Sequence, residues 1–100
     1  MAKRTLYDNS QVVVSKDQIS TDLGGEVAIL NLEAGTYYGL EAVGARIWSL
    51  IQEPRTIKEI RDVLVSEYEV EPERCERDLV ALLQGLADEG LVEVRDGSFA

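Results

Sequence analysis

Few side chains in this chain could carry chemistry. The 100 residues contain no histidine, which removes the commonest general base and the commonest metal ligand at neutral pH. Cys75 is the single cysteine, so neither an internal disulfide nor a site of paired cysteines can form, and a reducing compartment is the natural setting. As a nucleophile Cys75 would need a base beside it. Its spacing from Leu79 and Leu82 places it instead on the apolar face of a helix, as a small buried residue. No Gly-x-Ser-x-Gly elbow frames a serine. Gly24-Gly25 lacks the lysine and helix start of a phosphate loop, and Gly35 to Gly44 has no dinucleotide spacing. Acidic neighbours such as Glu71 and Glu73, or Asp88 and Glu89, fit solvated helix ends better than an acid and base pair. The sequence therefore points away from an enzyme, and it predicts no catalytic residue, no metal and no cofactor.

What remains is a surface that could bind. Thr36-Tyr37-Tyr38-Gly39-Leu40 is a short aromatic strand that runs directly into Val43-Gly44-Ala45-Arg46-Ile47-Trp48, an amphipathic helical segment. An unpaired strand edge beside a helix can take up an extended peptide through its backbone. Adjacent strand residues point to opposite faces, and the reading adopted is Tyr38 and Leu40 toward the helices, with Tyr37 toward solvent or a partner. Trp48 reads as core at the seam of helix and sheet, and Arg46 is given no site role.

Charge restricts the partner. Ten Lys and Arg stand against 19 Asp and Glu, a formal net charge of -9; phosphate backbones and anionic lipid repel such a chain. Neutral or basic partners are expected, without nucleic acid or membrane. Met1-Ala2-Lys3-Arg4-Thr5 begins with charge but no long apolar run follows, and no segment approaches the ~20 apolar residues of a membrane span. A soluble cytoplasmic protein is the expectation.

The elements that must position the strand can be read in order. With 45% hydrophobic residues and two prolines, the chain fits one domain over residues 1–100, with an ordered core of about 10–95, that buries roughly two-thirds of its unfolded surface. Gln11 to Ser15 and Glu26 to Leu32 are β-branched or apolar runs, separated by a turn at Asp22-Leu23-Gly24-Gly25. After Glu33-Ala34-Gly35, a hairpin connection, comes the strand from Thr36 to Leu40. These three runs are predicted to form an antiparallel meander with the third at its edge. From Ala42 the period changes to 3.6: Val43, Ile47, Leu50 and Ile51 make the stripe of a first helix that Pro54 should end. Thr56 and Glu59 spell a capping box for a second helix, buried through Ile57, Ile60, Val63 and Leu64. Glu71-Pro72 opens a third, with Leu79, Leu82, Leu83 and Leu86 on its apolar side, flanked by Cys75 and Val80, and Gly90 at its end. Leu91 to Val94 is a short terminal strand, and Asp96-Gly97 turns the tail. The fold class is α+β.

Three helices and a short strand joined by turns have the layout of a winged helix-turn-helix, whose third helix usually meets DNA. The charge opposes that use. From Pro72 to Glu89 the third helix carries Glu73, Glu76, Asp78, Asp88 and Glu89 against Arg74 and Arg77 alone, the wrong sign for phosphate contacts.

The strand Tyr37-Tyr38-Gly39-Leu40, the segment Val43 to Trp48, Thr56-x-x-Glu59-Ile60, Glu71-Pro72-Glu73 and Glu89-Gly90-Leu91-Val92 occur in an order and spacing that resembles the PqqD-like family. The resemblance covers about Val12 to Val94. It implies a RiPP recognition element: a discrete, non-catalytic protein, closest to those of lasso peptide clusters, that binds the leader of a ribosomally made precursor peptide. The leader would add as an antiparallel strand to the third strand, in the groove with the third helix. Carried over residue by residue, the binding strand is Thr36, Tyr37, Tyr38, Gly39 and Leu40, and the helix wall is Cys75, Asp78, Leu79, Leu82 and Leu86. The family's lasso leaders place a tyrosine and a proline in this groove, so small apolar pockets are implied; Asp78 and its acidic neighbours would favour Lys or Arg in the leader. The bound leader would be presented to a separate transglutaminase-like leader peptidase and a lasso cyclase. The alternative implied by the same resemblance is a peptide chaperone for a radical SAM enzyme of quinone cofactor or other peptide pathways.

Overall fold

The computed structural model describes residues 9–95; the predicted Asp96-Gly97 turn and the charged Met1–Thr5 start lie outside them. Nine elements follow in order: β1 (Gln11–Val14), β2 (Gln18–Asp22), β3 (Glu26–Asn31), β4 (Tyr37–Glu41), α1 (Val43–Leu50), β5 (Arg55–Thr56), α2 (Ile57–Tyr68), α3 (Pro72–Asp88) and β6 (Val92–Arg95). The strands form two antiparallel sheets, ordered β5-β1-β6 and β2-β3-β4. The N-terminal three-stranded meander, three helices and C-terminal strand are present, as an α+β domain of the expected class.

The first strand of the meander requires correction. The run Gln11 to Val14 pairs with β6 through Val12↔Val94 and Val14↔Val92, and with the two-residue β5. The meander instead starts at Gln18-Ile19-Ser20-Thr21-Asp22, whose register with β3 sets Ile19 opposite Leu30 and Thr21 opposite Ala28. Only one strongly apolar residue marks that strand, so hydrophobic alternation does not announce it.

Helix ends follow local rules. The Thr56 side chain accepts from Glu59 N–H at 3.1 Å while the Glu59 carboxylate accepts from Thr56 N–H at 2.9 Å, the reciprocal box that satisfies two otherwise orphaned donors. That hydrogen bond from the Thr56 backbone, chiefly, holds the Glu59 carboxyl below its ordinary value. At the other end of the helical region, Gly90 takes φ 75°, with its N–H donating to Ala87 O and that of Leu91 to Leu86 O. This is a Schellman closure, which glycine enters without a Cβ clash. α1 ends at Leu50, ahead of Pro54.

The core lies between the sheet β2-β3-β4 and the helices. Val27, Ile29 and Leu40 from the sheet meet Ile47 and Trp48 of α1 and Leu79, Leu83 and Leu86 of α3, all buried. The Trp48 indole donates to Ser20 Oγ at 3.0 Å, satisfying its polar atom at the seam. Ala42, between β4 and α1, has φ 52° and ψ −122°. Glycine enters that region readily and an L-residue does so only under strain.

Candidate functional site

One residue at the buried end of the sheet fixes how β4 meets α3. Asn31 is 7% exposed. Its Nδ2 donates to Glu89 O at 2.8 Å, and its Oδ1 accepts from Glu33 and Ala34 N–H at 3.0 and 3.1 Å. The turn before β4 is thereby tied to the C-terminus of α3. Burial, then the nearby Glu89 side chain, push the Tyr38 phenol above its ordinary value. Strand and helix are joined at this end. Further along α3, Gly44 of α1 stands close to both Leu40 of β4 and Leu82 of α3. A methyl group at Gly44 would lie 3.5 Å from Leu40 Cδ2 and 3.9 Å from Leu82 Cδ2, in ordinary van der Waals contact with both.

Among the described residues, the outer backbone edge of β4 pairs with no strand. Asn31 N–H donates to Thr36 O and Ala42 N–H to Gly25 O. Hydrogen-bonded pairs alternate along an antiparallel ladder, so with Ile29 opposite Tyr38 and Val27 opposite Leu40, Tyr38 and Leu40 bond to β3. Tyr37, Gly39 and Glu41 turn their N–H and C=O groups outward, and among the described residues no strand pairs with them. Side chains divide as expected: Tyr37 is 74% and Leu40 9% exposed, while Tyr38 is half-buried against the core.

Gly44 also lines a pocket of about 480 Å³. α3 lines it with Cys75, Asp78, Leu79 and Leu82, four of the five residues expected of the helix wall, together with Arg74. Leu86, the fifth, is 1% exposed and lines no part of it; it is a core residue. None of Thr36 to Leu40, the five residues expected of the binding strand, lines it either. The remaining walls were missed by sequence reasoning: Val43, Gly44 and Ile47 of α1, Leu64 and Tyr68 of α2, and Val70 and Glu71 in the connection. Their signal was weak, since an apolar residue at the end of a helix looks the same whether it is covered or exposed.

Burial, then the Asp78 carboxylate, raise the Cys75 thiol above its ordinary value, so it is a protonated, apolar wall. At the rim, Glu71 and Asp78 stand with Arg74.

A second groove of about 560 Å³ lies on the other flank of α1, against β2. Its lining is mixed and more polar than the first: Ser20, Asp22, Arg46, Ser49 and Gln52 stand with Trp48, Val27, Ala45 and Tyr68. These groups are already engaged. Arg46 makes a two-pronged pair with Glu67 at 2.9 and 2.8 Å and donates to Ser49 at 3.1 Å, and Gln52 donates to Trp48 O. The pair holds the Glu67 carboxyl below its ordinary value. Among the described residues, no helix is long and apolar enough to cross a membrane.

The profile of a family described as coenzyme PQQ synthesis protein D (PqqD) matches residues 26–92. No curated protein sequence matches the chain. Among solved structures, TbiB1 in complex with the TbiA(beta) leader peptide is 43% identical, covers 81% of this chain and 94% of that one, and superposes with a TM-score of 0.77. Lasso peptide synthetase B1 complexed with the leader peptide is 24% identical over 82% of this chain and 96% of that one, TM-score 0.74. The PqqD truncation of Methylobacterium extorquens PqqCD, a stand-alone RiPP recognition element, is 18% identical over 93% and 99%, TM-score 0.74. The last two share the fold.

Proposed function

The chain belongs to the PqqD family, and from that premise we propose that it is a non-catalytic recognition element for the leader of a ribosomally synthesised precursor peptide. The carrying observation is the juxtaposition of an unpaired β4 edge with an apolar pocket. The leader adds antiparallel to β4, bonding to the outward groups of Tyr37, Gly39 and Glu41. Its side chains that point inward enter the space over Gly44 and the pocket walled by Cys75, Asp78, Leu79 and Leu82. The likeness to TbiB1, solved with a leader peptide at 43% identity, supports leader binding; lasso peptide biosynthesis is the pathway proposed, with a radical SAM partner in quinone or other peptide pathways as the alternative.

Magnitudes assign the division of labour. A net backbone hydrogen bond contributes about 1 kcal/mol, and ordering a flexible segment costs about 2–5 kcal/mol. Three outward residues offer enough bonds to offset that cost with little remaining. Burying one large apolar side chain adds about 1.5–3 kcal/mol, so the pocket decides affinity and the edge decides geometry. Glu71 and Asp78 at the rim favour a cationic leader residue. In this role the chain presents the leader to a separate transglutaminase-like peptidase and a lasso cyclase.

Fluorescence polarisation with the cognate labelled leader tests the reading. Saturable binding with a micromolar or tighter Kd is expected; a Kd weaker than about 100 µM overturns it. Duplex DNA in the same assay should give no binding, in keeping with the acidic third helix.

A further inference from the structure

The large apolar side chains that stand exposed among the described residues fall into two sets. Val43, Tyr68 and Val70 line the pocket; Ile19, Leu23, Leu32 and Tyr37 belong to the sheet β2-β3-β4 and its turns. Register sets Ile19, Leu30 and Tyr37 directly opposite one another. They lie on the face turned away from the helices, because the alternate residues Val27, Ile29 and Leu40 are the buried ones. Ile19 is 57% and Tyr37 74% exposed, so an apolar row crosses all three strands in the open, and Leu32 continues the parity of Leu30. A lone exposed apolar residue needs no explanation, but a contiguous row marks an interaction surface.

The same face carries an unfavourable charge arrangement. Glu26 and Glu41 are directly opposite, in a pair without mutual hydrogen bonds, where side chains approach most closely. Like charges so placed destabilise a sheet. Neither has an ion-pair partner among the described residues. These two carboxylates lie on the same face as the apolar row, separated from it along the strands by the Ala28 and Gly39 pair, so the face complements a protein surface with an apolar patch and Lys or Arg to one side of it.

We infer that this outer face docks the processing enzyme that acts on the captured peptide, and that the enzyme meets it with an apolar patch flanked by basic residues. The inference rests on strand addition at β4. A peptide added there becomes the fourth strand of the same sheet, and its alternate side chains emerge on the outer face beside Tyr37 and Glu41. An enzyme docked on this face touches protein and peptide together, and so binds the loaded form more tightly than the empty one. A second copy of the chain is a poor occupant, because each copy carries a net charge of -9.

The test uses the full chain, a labelled leader, the precursor peptide and the leader peptidase of the same pathway. Two variants are compared with the wild type: Ile19→Ser with Leu32→Ser, and separately Glu26→Lys, which relieves the carboxylate repulsion and keeps the sheet intact. Leader Kd should stay within about twofold, while association of the loaded chain with the peptidase weakens about tenfold, the scale of an interface hot spot. Chain-dependent cleavage of the precursor should fall in parallel. Unchanged peptidase association and cleavage in both variants, with leader affinity intact, overturns the inference. So does a wild-type dimer in sedimentation that the serine variant dissociates, since the face would then join two copies. A wild-type chain that fails to bind the leader is a different result, read in the first measurement, and it removes strand addition itself.

Discussion

Two grooves of similar size flank α1, one of about 480 Å³ toward α2 and α3 and one of about 560 Å³ toward β2. Each lies beside an edge strand of the same sheet, so size and edge alone do not choose between them. Their linings do. In the β2 groove the polar groups are satisfied within the protein, as in the pairing of Arg46 with Glu67, and a peptide entering it would exchange good hydrogen bonds for others. In the α3 groove, the exposed side chains of Val43, Tyr68 and Val70 face water, and a bound ligand would remove that surface from it. The outward backbone differs as well. On β4 the outward residues include Gly39, with open space where a Cβ would stand; on β2 the Leu23–Glu26 and Leu32–Asp17 bonds assign the outward groups to Gln18, Ser20 and Asp22, whose side chains lie on the inner face.

Breaking one edge at a time gives the largest expected effect. Gly39→Pro removes an outward N–H and leaves the β3 ladder intact; leader affinity should fall by more than about 100-fold, or ~2.7 kcal/mol, with far-UV circular dichroism unchanged. Gln18→Pro, on the other edge, should leave affinity within about threefold. If the two variants weaken binding equally, the preference for β4 is lost. The linings are separated next: Leu82→Glu places a carboxylate in the apolar pocket and should weaken the leader about 30-fold, ~2 kcal/mol, whereas Gln52→Glu in the polar groove should change little. Asn31→Ala tests the joint between β4 and α3. It leaves Glu33 N–H, Ala34 N–H and Glu89 O without their partner, and denaturant unfolding should show a loss of about 2 kcal/mol, with weakened leader binding to the folded fraction. The smallest effect concerns the Arg46–Glu67 pair at the polar groove. The folded Glu67 carboxyl titrates below its ordinary value of 4.5, so its contribution is fully present above that pH and is lost as pH falls through the lowered folded value. Glu67→Gln should flatten the acid limb of the stability curve by a small amount, because both groups are exposed, and leave leader affinity at neutral pH unchanged.

Much of this arrangement is legible in the sequence because its signals are local. The Thr56–Glu59 box, the glycine after α3 and the spacing of Cys75, Leu79 and Leu82 each lie within a few turns of chain, and each appears where local rules put it. Tyr37 and Tyr38 divide between faces by alternation alone. The failures are non-local. β1 looked like the first strand of a hairpin series, yet its partner β6 lies some eighty residues on and β5 is two residues long. Asn31 reads as the end of a strand, and its clamping role depends on Glu89, 58 positions away. Tyr68 ends and Val70 follows a helix whose buried side is Ile57, Ile60 and Leu64, and no periodicity says that they complete a pocket. Leu86 shares the spacing of Leu82 but faces the core.

Ala42 has a kinetic consequence. Its backbone sits at φ 52° and ψ −122°, a conformation that costs about 1–3 kcal/mol for a residue with a Cβ and persists only where the surroundings dictate it. β4 and α1 are therefore held at a set angle whether or not a peptide is present. The receptor is a standing template, and the loss of freedom on association falls on the incoming chain alone. Encounter should then proceed at nearly the same rate for leaders of different sequence, with discrimination among them appearing in how long each stays bound.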